Sequence, residues 1–400
     1  MKNTVRAAVT VVLTGAMLAT APAAFAQDAP RAGAQHAGVQ SVLDQAVTQA
    51  GLPGAMAQIE NGDSTWFGQA GTADLSTGRK LQPQDGFRIG STTKTFVSTV
   101  VLQLEAEHKL SLDDTVEHWL PGLVDGNGYD GSEITIRQLL DMTSGISNYA
   151  NAPQLADEFV GQAFLTNRFD SFTPRQLVEI AVASKPSFAP GAGWEYSDTN
   201  YVLAGLIVEK ATGHSLAQEI ARRITGPLHL SNTYEPTGDD TGIDGPHGRF
   251  YSKLMEQDPN APFYDVTDLN PSWGFGAGDI ISTDGDLITF FRALLQGRML
   301  PPTQQREMFT MLDPGKNWIP GTTYGLGVAS VNLSCGTVWG MGGAIDGSWS
   351  YTFGTRDGRH LLSTEVNGDW ANGTFGSPVG VFTAELESEF CTPAPAATAR

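Results

Sequence analysis

Three side chains have the types and spacing of a nucleophile and its proton-handling partners. Ser91 and Lys94 stand three residues apart, directly before the amphipathic run 95–108, which predicts a helix. Ser91 would then lie at the helix N-terminus, which favours developing negative charge, with Lys94 one turn on and on the same face. A lysine that has lost its proton can accept one from a serine. The pair alone is a weak signal, because a capping serine followed by a surface lysine has the same spacing.

The third side chain is Tyr196, which follows the turn at Pro190-Gly191. A tyrosine there can hold its hydroxyl in a cleft. Near Lys94 we expect the pKa of Tyr196 to fall, so that its hydroxyl can pass the proton of Ser91 to a leaving group. Taken by itself, Tyr196 could equally be a half-buried core aromatic.

The elements that must position these residues come from both ends of the chain. Helical spacing at 40–50 is followed by two predicted strands within 55–71, and strands return at 336–368 with a hairpin turn at Asp357-Gly358. Ser377-Pro378 predicts the start of a final helix that runs to Phe390. The region 91–235 is mostly helical. We therefore predict an α/β (α+β) fold, with an antiparallel sheet from both termini flanked by helices, plus a mainly α lobe.

Composition excludes several classes of function. The chain has 400 residues, and 24 Lys and Arg against 43 Asp and Glu give a net charge of −19. Nucleic acids and anionic membranes need clustered basic residues, so we expect neither as a partner. Hydrophobic residues at 40% are enough to build a core.

The two ends carry processing signals. A basic start, an apolar run at 7–21 and the motif Ala24-Phe25-Ala26 predict a signal peptide over residues 1–26, cleaved near Ala26. The run is too short for a membrane span, so we expect a secreted protein. The tail 392–400 is of low complexity and is expected to be disordered. In an exported protein, Cys335 and Cys391 would most simply form a disulfide, although two free thiols are the alternative.

The motifs, taken in order, resemble those of the serine β-lactamase and penicillin-binding-protein-like family. Within it, the sequence is most similar to the class C β-lactamase-like, secreted D-alanyl-D-alanine carboxypeptidases. The resemblance covers nearly all of the chain after the signal peptide. Its pieces are 87–94, 134–140, 143–145, 190–201, 204–213, 227–228, 273–282 and 324–327.

The resemblance implies a β-lactamase/transpeptidase-like fold and a role for each motif residue. Ser91 would be the acylated nucleophile, Lys94 its base and Tyr196 the proton relay. The oxyanion hole would consist of the backbone N–H of Ser91 and one near Ala344. The Cys335–Cys391 pair matches the disulfide of that branch. Trp273 would line the acyl pocket, with a core position as the alternative.

The resemblance also implies one serine hydrolase domain over residues 27–391. Its α/β lobe would comprise about 38–90 and 280–391, and its mainly α lobe about 91–279. No metal and no organic cofactor is expected, and we expect a monomer.

Two motifs depart from the family. Asp198 stands where an asparagine is usual, and an ionised carboxylate only accepts hydrogen bonds, so it should pair with Lys94 or a substrate amine, unless it caps a turn. Met341, Gly342 and Gly343 replace the Lys-Thr-Gly or His-Thr-Gly motif expected to bind substrate. No Lys or Arg occurs over 324–351, and a carboxylate buried without a cation is costly. We therefore expect substrates that lack a free C-terminal carboxylate.

The sequence thus predicts a secreted serine hydrolase that acts on small peptides, amides or esters, including ones with D-amino acids, through a Ser91 acyl-enzyme. A D-amino-acid amidase or aminopeptidase, an esterase or an acyl transferase on the same fold is an alternative, as is a non-catalytic penicillin-binding-like sensor. The rival nucleophile Ser215 is better explained by a capping box with Gln218. Met142 is predicted to pack in the core. Glu195 and Asp346 either add negative potential to the cleft or face solvent.

Overall fold

A computed structural model describes residues 36–153, 155, 161–236, 240–256 and 258–391. The predicted signal peptide over 1–26 and the predicted tail over 392–400 lie outside these residues. Among the helices of the described ranges, none is long and apolar enough to cross a membrane.

Within the described residues, seven antiparallel strands form one sheet in the order β2-β1-β13-β12-β11-β10-β9. Strands from the two ends of the chain meet at its centre, where Ala55 of β1 pairs with Val366 of β13. The sheet strands are β1 (Gly54–Asn61), β2 (Ser64–Gly71), β9 (Thr322–Tyr324), β10 (Ala329–Leu333), β11 (Gly336–Ile345), β12 (Ser348–Gly354) and β13 (His360–Val366). The predicted sheet built from both termini is therefore confirmed.

Pairs of short strands lie outside this sheet. They are β3 (Phe87–Arg88) with β8 (Ile281–Ser282), β4 (Asp125–Gly126) with β5 (Tyr129–Asp130), and β6 (Tyr251–Ser252) with β7 (Tyr264–Asp265). Pairing of β3 with β8 holds the chain immediately before Ser91 against the segment that carries Ala277.

The helices divide between the sheet and the helical region that the sequence predicts. The sheet is flanked by α1 (Ala37–Thr48), α9 (Asp284–Leu295) and α11 (Pro378–Cys391). The others are α2 (Thr93–Ala106), α3 (Val116–Trp119), α4 (Ile136–Leu140), α5 (Phe164–Asn167), α6 (Pro174–Val182), α7 (Asp198–Thr212), α8 (Leu216–Ile220) and α10 (Pro302–Met308).

Helices cover both faces of the sheet. Ser363 and Thr364 are neighbours on β13, so their side chains point to opposite faces. Ser363 Oγ donates to Asp284 of α9 at 2.7 Å. On the other face, Tyr351 of β12 pairs with Thr364 and lies against Phe382 of α11, with ring centroids 4.7 Å apart.

Helix α2 forms the centre of the molecule and fixes the site residues. It begins at Thr93, two residues before the predicted start, and residues Thr93 to Leu102 are all buried. A helix that is packed on every side buries even its polar residues, and Lys94 has no exposed surface. Its entry is a 3₁₀ turn over Gly90–Thr92, which carries Ser91.

Candidate active site

The nucleophile turn touches the sheet at a point where two glycines allow close approach. Gly90 has φ +49°, and a Cβ there would lie 2.5 Å from the backbone N of Ala344. A Cβ on Gly343 would lie 2.7 Å from the backbone N of Ser91. Both distances are shorter than any side chain tolerates, so the turn and β11 can meet only through glycine. The structure thereby brings the two predicted oxyanion donors, Ser91 and Ala344, next to each other.

Strand β11 has a free edge beside Ser91. Its neighbour β10 pairs with it only from Gly336 to Gly340, where Ala329 is the last partner. Within the described residues, the backbone of 341–345 therefore has a sheet partner on the β12 side alone. An unpaired strand edge can accept an extended substrate as an added strand.

Lys94 is held by three acceptors. Its Nζ lies 3.0 Å from Ser91 Oγ, 2.7 Å from Asp198 Oδ1 and 2.7 Å from the carbonyl oxygen of Ala277. An ammonium group has three N–H bonds, so each finds one partner. The sequence predicts the pairing with Ser91, but the Ala277 carbonyl lies 183 residues along the chain and has no sequence signal.

Asp198 is the counter-charge of Lys94. It is the first residue of α7, and its second oxygen accepts from Asn148 Nδ2 at 3.1 Å. Of the alternatives for this aspartate, the structure shows the pairing with Lys94. The carboxylate of Asp198 is therefore the charge partner of a lysine side chain that has no exposed surface. Asn148 was not predicted, and no local motif marks it.

Tyr196 completes the group around the serine. Its hydroxyl donates to Ser91 Oγ at 2.5 Å, and its ring stacks on Trp318 with centroids 4.5 Å apart. The expected fall in its pKa is wrong. Burial raises the pKa of Tyr196 well above its usual value, and the negative charge of Asp198 raises it further. The charge that acts on the Tyr196 hydroxyl is therefore the carboxylate of Asp198, opposite in sign to the lysine on which the expectation rested.

A cavity of 290 Å³ opens from Ser91 and Tyr196 along the sheet. Pockets that take small ligands start at about 300 Å³, so its size suits a modest substrate. Met341, Gly342, Gly343 and Ala344 all line it. Its other side chains are uncharged and mostly aromatic or aliphatic: Trp318, Ile319, Thr322, Ala329, Val331, Trp349, Tyr351, Phe353 and Val379.

Trp273 does not line this cavity. It belongs to a 3₁₀ turn and packs against a separate apolar cluster of Phe164, Leu254, Val266, Leu269 and Ile345. Its carbonyl accepts a hydrogen bond from Tyr149 Oη. The structure thus places Trp273 partly buried against this cluster and outside the lining of the cavity.

The remaining residues singled out by sequence lie around the site. Met142 is fully buried, and Glu195 is exposed. Asp346 is partly buried, and burial together with Asp369 raises its pKa to about 7. Ser215 caps α8 in a capping box with Gln218.

The structure joins Cys335 to Cys391, with Cα atoms 5.4 Å apart. In the ranges that the structure describes, no group of three or more His, Cys, Asp or Glu is placed to hold a metal ion.

Comparison with known proteins places this geometry in a family. The Beta-lactamase family model matches residues 39–365. A D-stereospecific amidohydrolase from Streptomyces sp. is 46% identical, with a TM-score of 0.81 over 89% of this chain and 98% of that one. A D-amino acid amidase from Ochrobactrum anthropi SV3 is 24% identical, with a TM-score of 0.74 over 88% of this chain and 98% of that one, and shows the shared fold.

Curated relatives match shorter parts of the chain. Esterase EstB of Burkholderia gladioli is 36% identical over 52% of this chain and 53% of its own length. Penicillin-binding protein 4* of Bacillus subtilis is 27% identical over 66% of this chain and 59% of its own length. The match thus spans just over half of each relative. On the family model, the chain belongs to the Beta-lactamase family.

Proposed function

We propose that the protein hydrolyses amides and esters of apolar D-amino acids that lack a free carboxylate, through an acyl-enzyme on Ser91. One observation carries this proposal: Ser91 opens into a cavity whose lining has no charged side chain, while Asp198 balances the buried Lys94. The 46% identical D-stereospecific amidohydrolase supports the D-amino-acid class, and the esterase relative supports esters.

Acylation forms a bond from Ser91 Oγ to the substrate carbonyl carbon. Lys94 accepts the serine proton in its neutral form, in which its two N–H groups keep Asp198 and the Ala277 carbonyl while its lone pair faces Ser91. The carbonyl oxygen gains negative charge and accepts from the N–H groups of Ser91 and Ala344.

Collapse of this intermediate breaks the bond to the leaving amine or alcohol. Tyr196 gives its hydroxyl proton to the leaving group, because this hydroxyl lies 2.5 Å from Ser91 Oγ and so beside the scissile bond. Lys94, whose Nζ lies 4.8 Å from the centroid of the Tyr196 ring, then returns the serine proton to the tyrosinate, and both groups are restored. Water then attacks the acyl carbon and passes one proton through Lys94 and Tyr196 to Ser91 Oγ. The acid is released, and the Ser91 hydroxyl is restored. Protons balance over the cycle with no cofactor.

The cavity selects against a charged end. A carboxylate leaving water for this lining would have no lysine or arginine beside it and would lose its hydration. A carboxamide or an ester loses far less. The proposed substrates therefore share a neutral group beyond the scissile bond.

A matched substrate pair tests this proposal. We expect D-phenylalanyl-D-alanine amide to be cleaved with a kcat/KM at least about 100-fold above that of its free acid, since a lost buried charge partner costs about 3 kcal/mol or more. L-phenylalanine amide and D-phenylalanine amide compare the enantiomers, and Ser91→Ala is the control. A preference for the acid would contradict the proposal.

Mass spectrometry separates catalysis from a sensor role. A hydrolase should accumulate or turn over an adduct of the acyl group on Ser91, and Ser91→Ala should show none. A long-lived penicillin adduct without turnover of any amide or ester would support the penicillin-binding sensor instead.

A further inference from the structure

One aromatic ring occupies the place where β11 lacks a side chain. Gly342 of β11 pairs directly with Tyr351 of β12, so both residues face the same side of the sheet. A Cβ on Gly342 would lie 2.2 Å from Cε1 and 2.3 Å from Cδ1 of Tyr351. The Tyr351 ring therefore crosses over Gly342 and fills the space above it. Both residues line the cavity that opens at Ser91.

The ring has little freedom to leave this place. Tyr351 is only 7% exposed, and its ring lies 5.3 Å from that of Phe353 and 4.7 Å from that of Phe382, centroid to centroid. Phe382 belongs to α11, which is itself packed against the sheet. Moving the ring would require this aromatic group to repack, which interiors resist. Gly342 and Tyr351 thus act as one unit.

The unit lies close to the reaction centre. Gly342 precedes Ala344 by two residues on the same strand face, a distance of about 6.6 Å along a strand. A substrate whose carbonyl oxygen is held by Ser91 and Ala344, and which extends along the free edge of β11, would pass the Tyr351 ring about two residues from the scissile group.

We propose that Tyr351, seated over Gly342, is the specificity-determining residue that replaces a polar, carboxylate-binding position by an apolar surface. Its ring contacts the neutral group beyond the scissile bond and leaves no room for a hydroxyl side chain on β11. This inference rests on the proposed function and names the residue that sets its substrate class.

The measured quantity is a ratio, kcat/KM for D-phenylalanyl-D-alanine amide divided by kcat/KM for the free acid. Tyr351→Ala should lower this ratio at least about tenfold, because it removes the apolar contact and admits water. Tyr351→Phe, which keeps the ring, should retain the ratio. Tyr264→Ala, on β7 and outside the lining of the cavity, is the control for unspecific loss of a tyrosine.

A second set of variants tests the contact between Gly342 and the Tyr351 ring. Gly342→Thr should lose at least about tenfold in kcat/KM for the amide, because the new Cβ meets the ring. Gly342→Thr combined with Tyr351→Ala should lose less than Gly342→Thr alone. Thermal unfolding identifies any variant that does not fold, in which case Tyr351→Leu replaces Tyr351→Ala.

The outcomes separate this inference from the function beneath it. A ratio unchanged in Tyr351→Ala, or equal losses for Gly342→Thr with and without Tyr351, would overturn the role of Tyr351 while the wild type still prefers the amide. A wild type that prefers the acid, or forms no acyl adduct at Ser91, would instead contradict the proposed function.

Discussion

The two sides of the cleft differ in polarity. On one side, which we call the polar wall, Lys94, Asp198 and Tyr196 surround Ser91, and each of their functional groups has a partner within the protein. On the other side, the apolar wall, the cavity face of β11 and β12 presents Gly342, Tyr351 and other uncharged groups. The chemistry of bond cleavage depends on the first wall, and the choice of substrate on the second.

This contrast indicates that bond cleavage and substrate preference can change separately within one fold. Residues 341–343 carry no basic side chain and no hydroxyl, yet every hydrogen bond at Lys94 is in place, because its partners come from the 3₁₀ turn at Ser91, from α7 and from the segment before β8. Substitutions on the polar wall should therefore change kcat, and substitutions on the apolar wall should change the preference among substrates.

The largest effect should come from the polar wall. Tyr196→Phe removes the hydroxyl that donates to Ser91 Oγ and keeps the ring stacked on Trp318. We expect kcat for D-phenylalanine amide to fall by about 10²- to 10⁴-fold, the usual range for a lost proton-transfer group, with KM little changed. Steady-state kinetics checks this. A kcat within threefold of wild type would show that the hydroxyl carries no proton.

An intermediate effect concerns the sheet that supports the apolar wall. Burial raises the pKa of Asp284 to about 7 and that of Glu385 to about 8, on the two faces of β13. Between the ordinary carboxyl pKa and these raised values, the folded protein keeps both carboxyls protonated, whereas the unfolded chain has already released the protons. The free energy of unfolding should therefore fall as the pH rises from about 4 to about 8, by on the order of 1 kcal/mol per pH unit for each group.

Urea denaturation at pH 5, 6.5 and 8 measures this slope. Asp284→Asn removes one of the titrating groups and should flatten the dependence between pH 5 and pH 7. Stability that rises over the window would mean that these carboxyls are ionised in the folded protein.

The smallest effect links charge and proton transfer on the polar wall. Asp198 is one of the groups that raise the pKa of Tyr196. Asp198→Asn removes this charge and should move the alkaline limb of the kcat/KM profile to lower pH. Glu195→Gln, an exposed neighbour, is the matched control and should leave the limb in place. Equal shifts in both variants would mean that the summed negative charge of this region, and not Asp198 itself, determines the position of the limb.

Local patterns were enough to predict the frame of the molecule. Helical spacing predicted α1, which buries one stripe of its residues, and the turn at 61–63 between two runs predicted β1 and β2, which pair across that turn. The Ser-x-x-Lys spacing also predicted that Ser91 and Lys94 lie about one turn apart, because residues three apart share a face of a helix. The capping box at Ser215 was also visible, since its partners lie three residues apart.

The rest of the site depends on contacts between distant segments. Trp318 on Tyr196, Asn148 on Asp198 and Tyr351 over Gly342 are pairs with no fixed spacing in the chain. Residues 341–343 show in the sequence that the usual motif is missing, but they carry no sign that Tyr351 fills the space. The pKa of Tyr196 was predicted in the wrong direction because its burial and its distance from Asp198 exist only in the fold. Export, the lobe boundaries and the monomeric state stay predictions.

The central pairing of β1 with β13 also sets an order of events during synthesis. When Ser91 and Lys94 have left the ribosome, the strand that carries Ala344 has not yet been made, and β1 has no partner from the C-terminal half. A nascent or truncated chain therefore holds a serine and a lysine but no complete site for a developing oxyanion. We therefore expect the proposed oxyanion site to be complete only once β11 has been made, and we expect the pairing of β1 with β13, which joins the two halves of the chain, to slow folding.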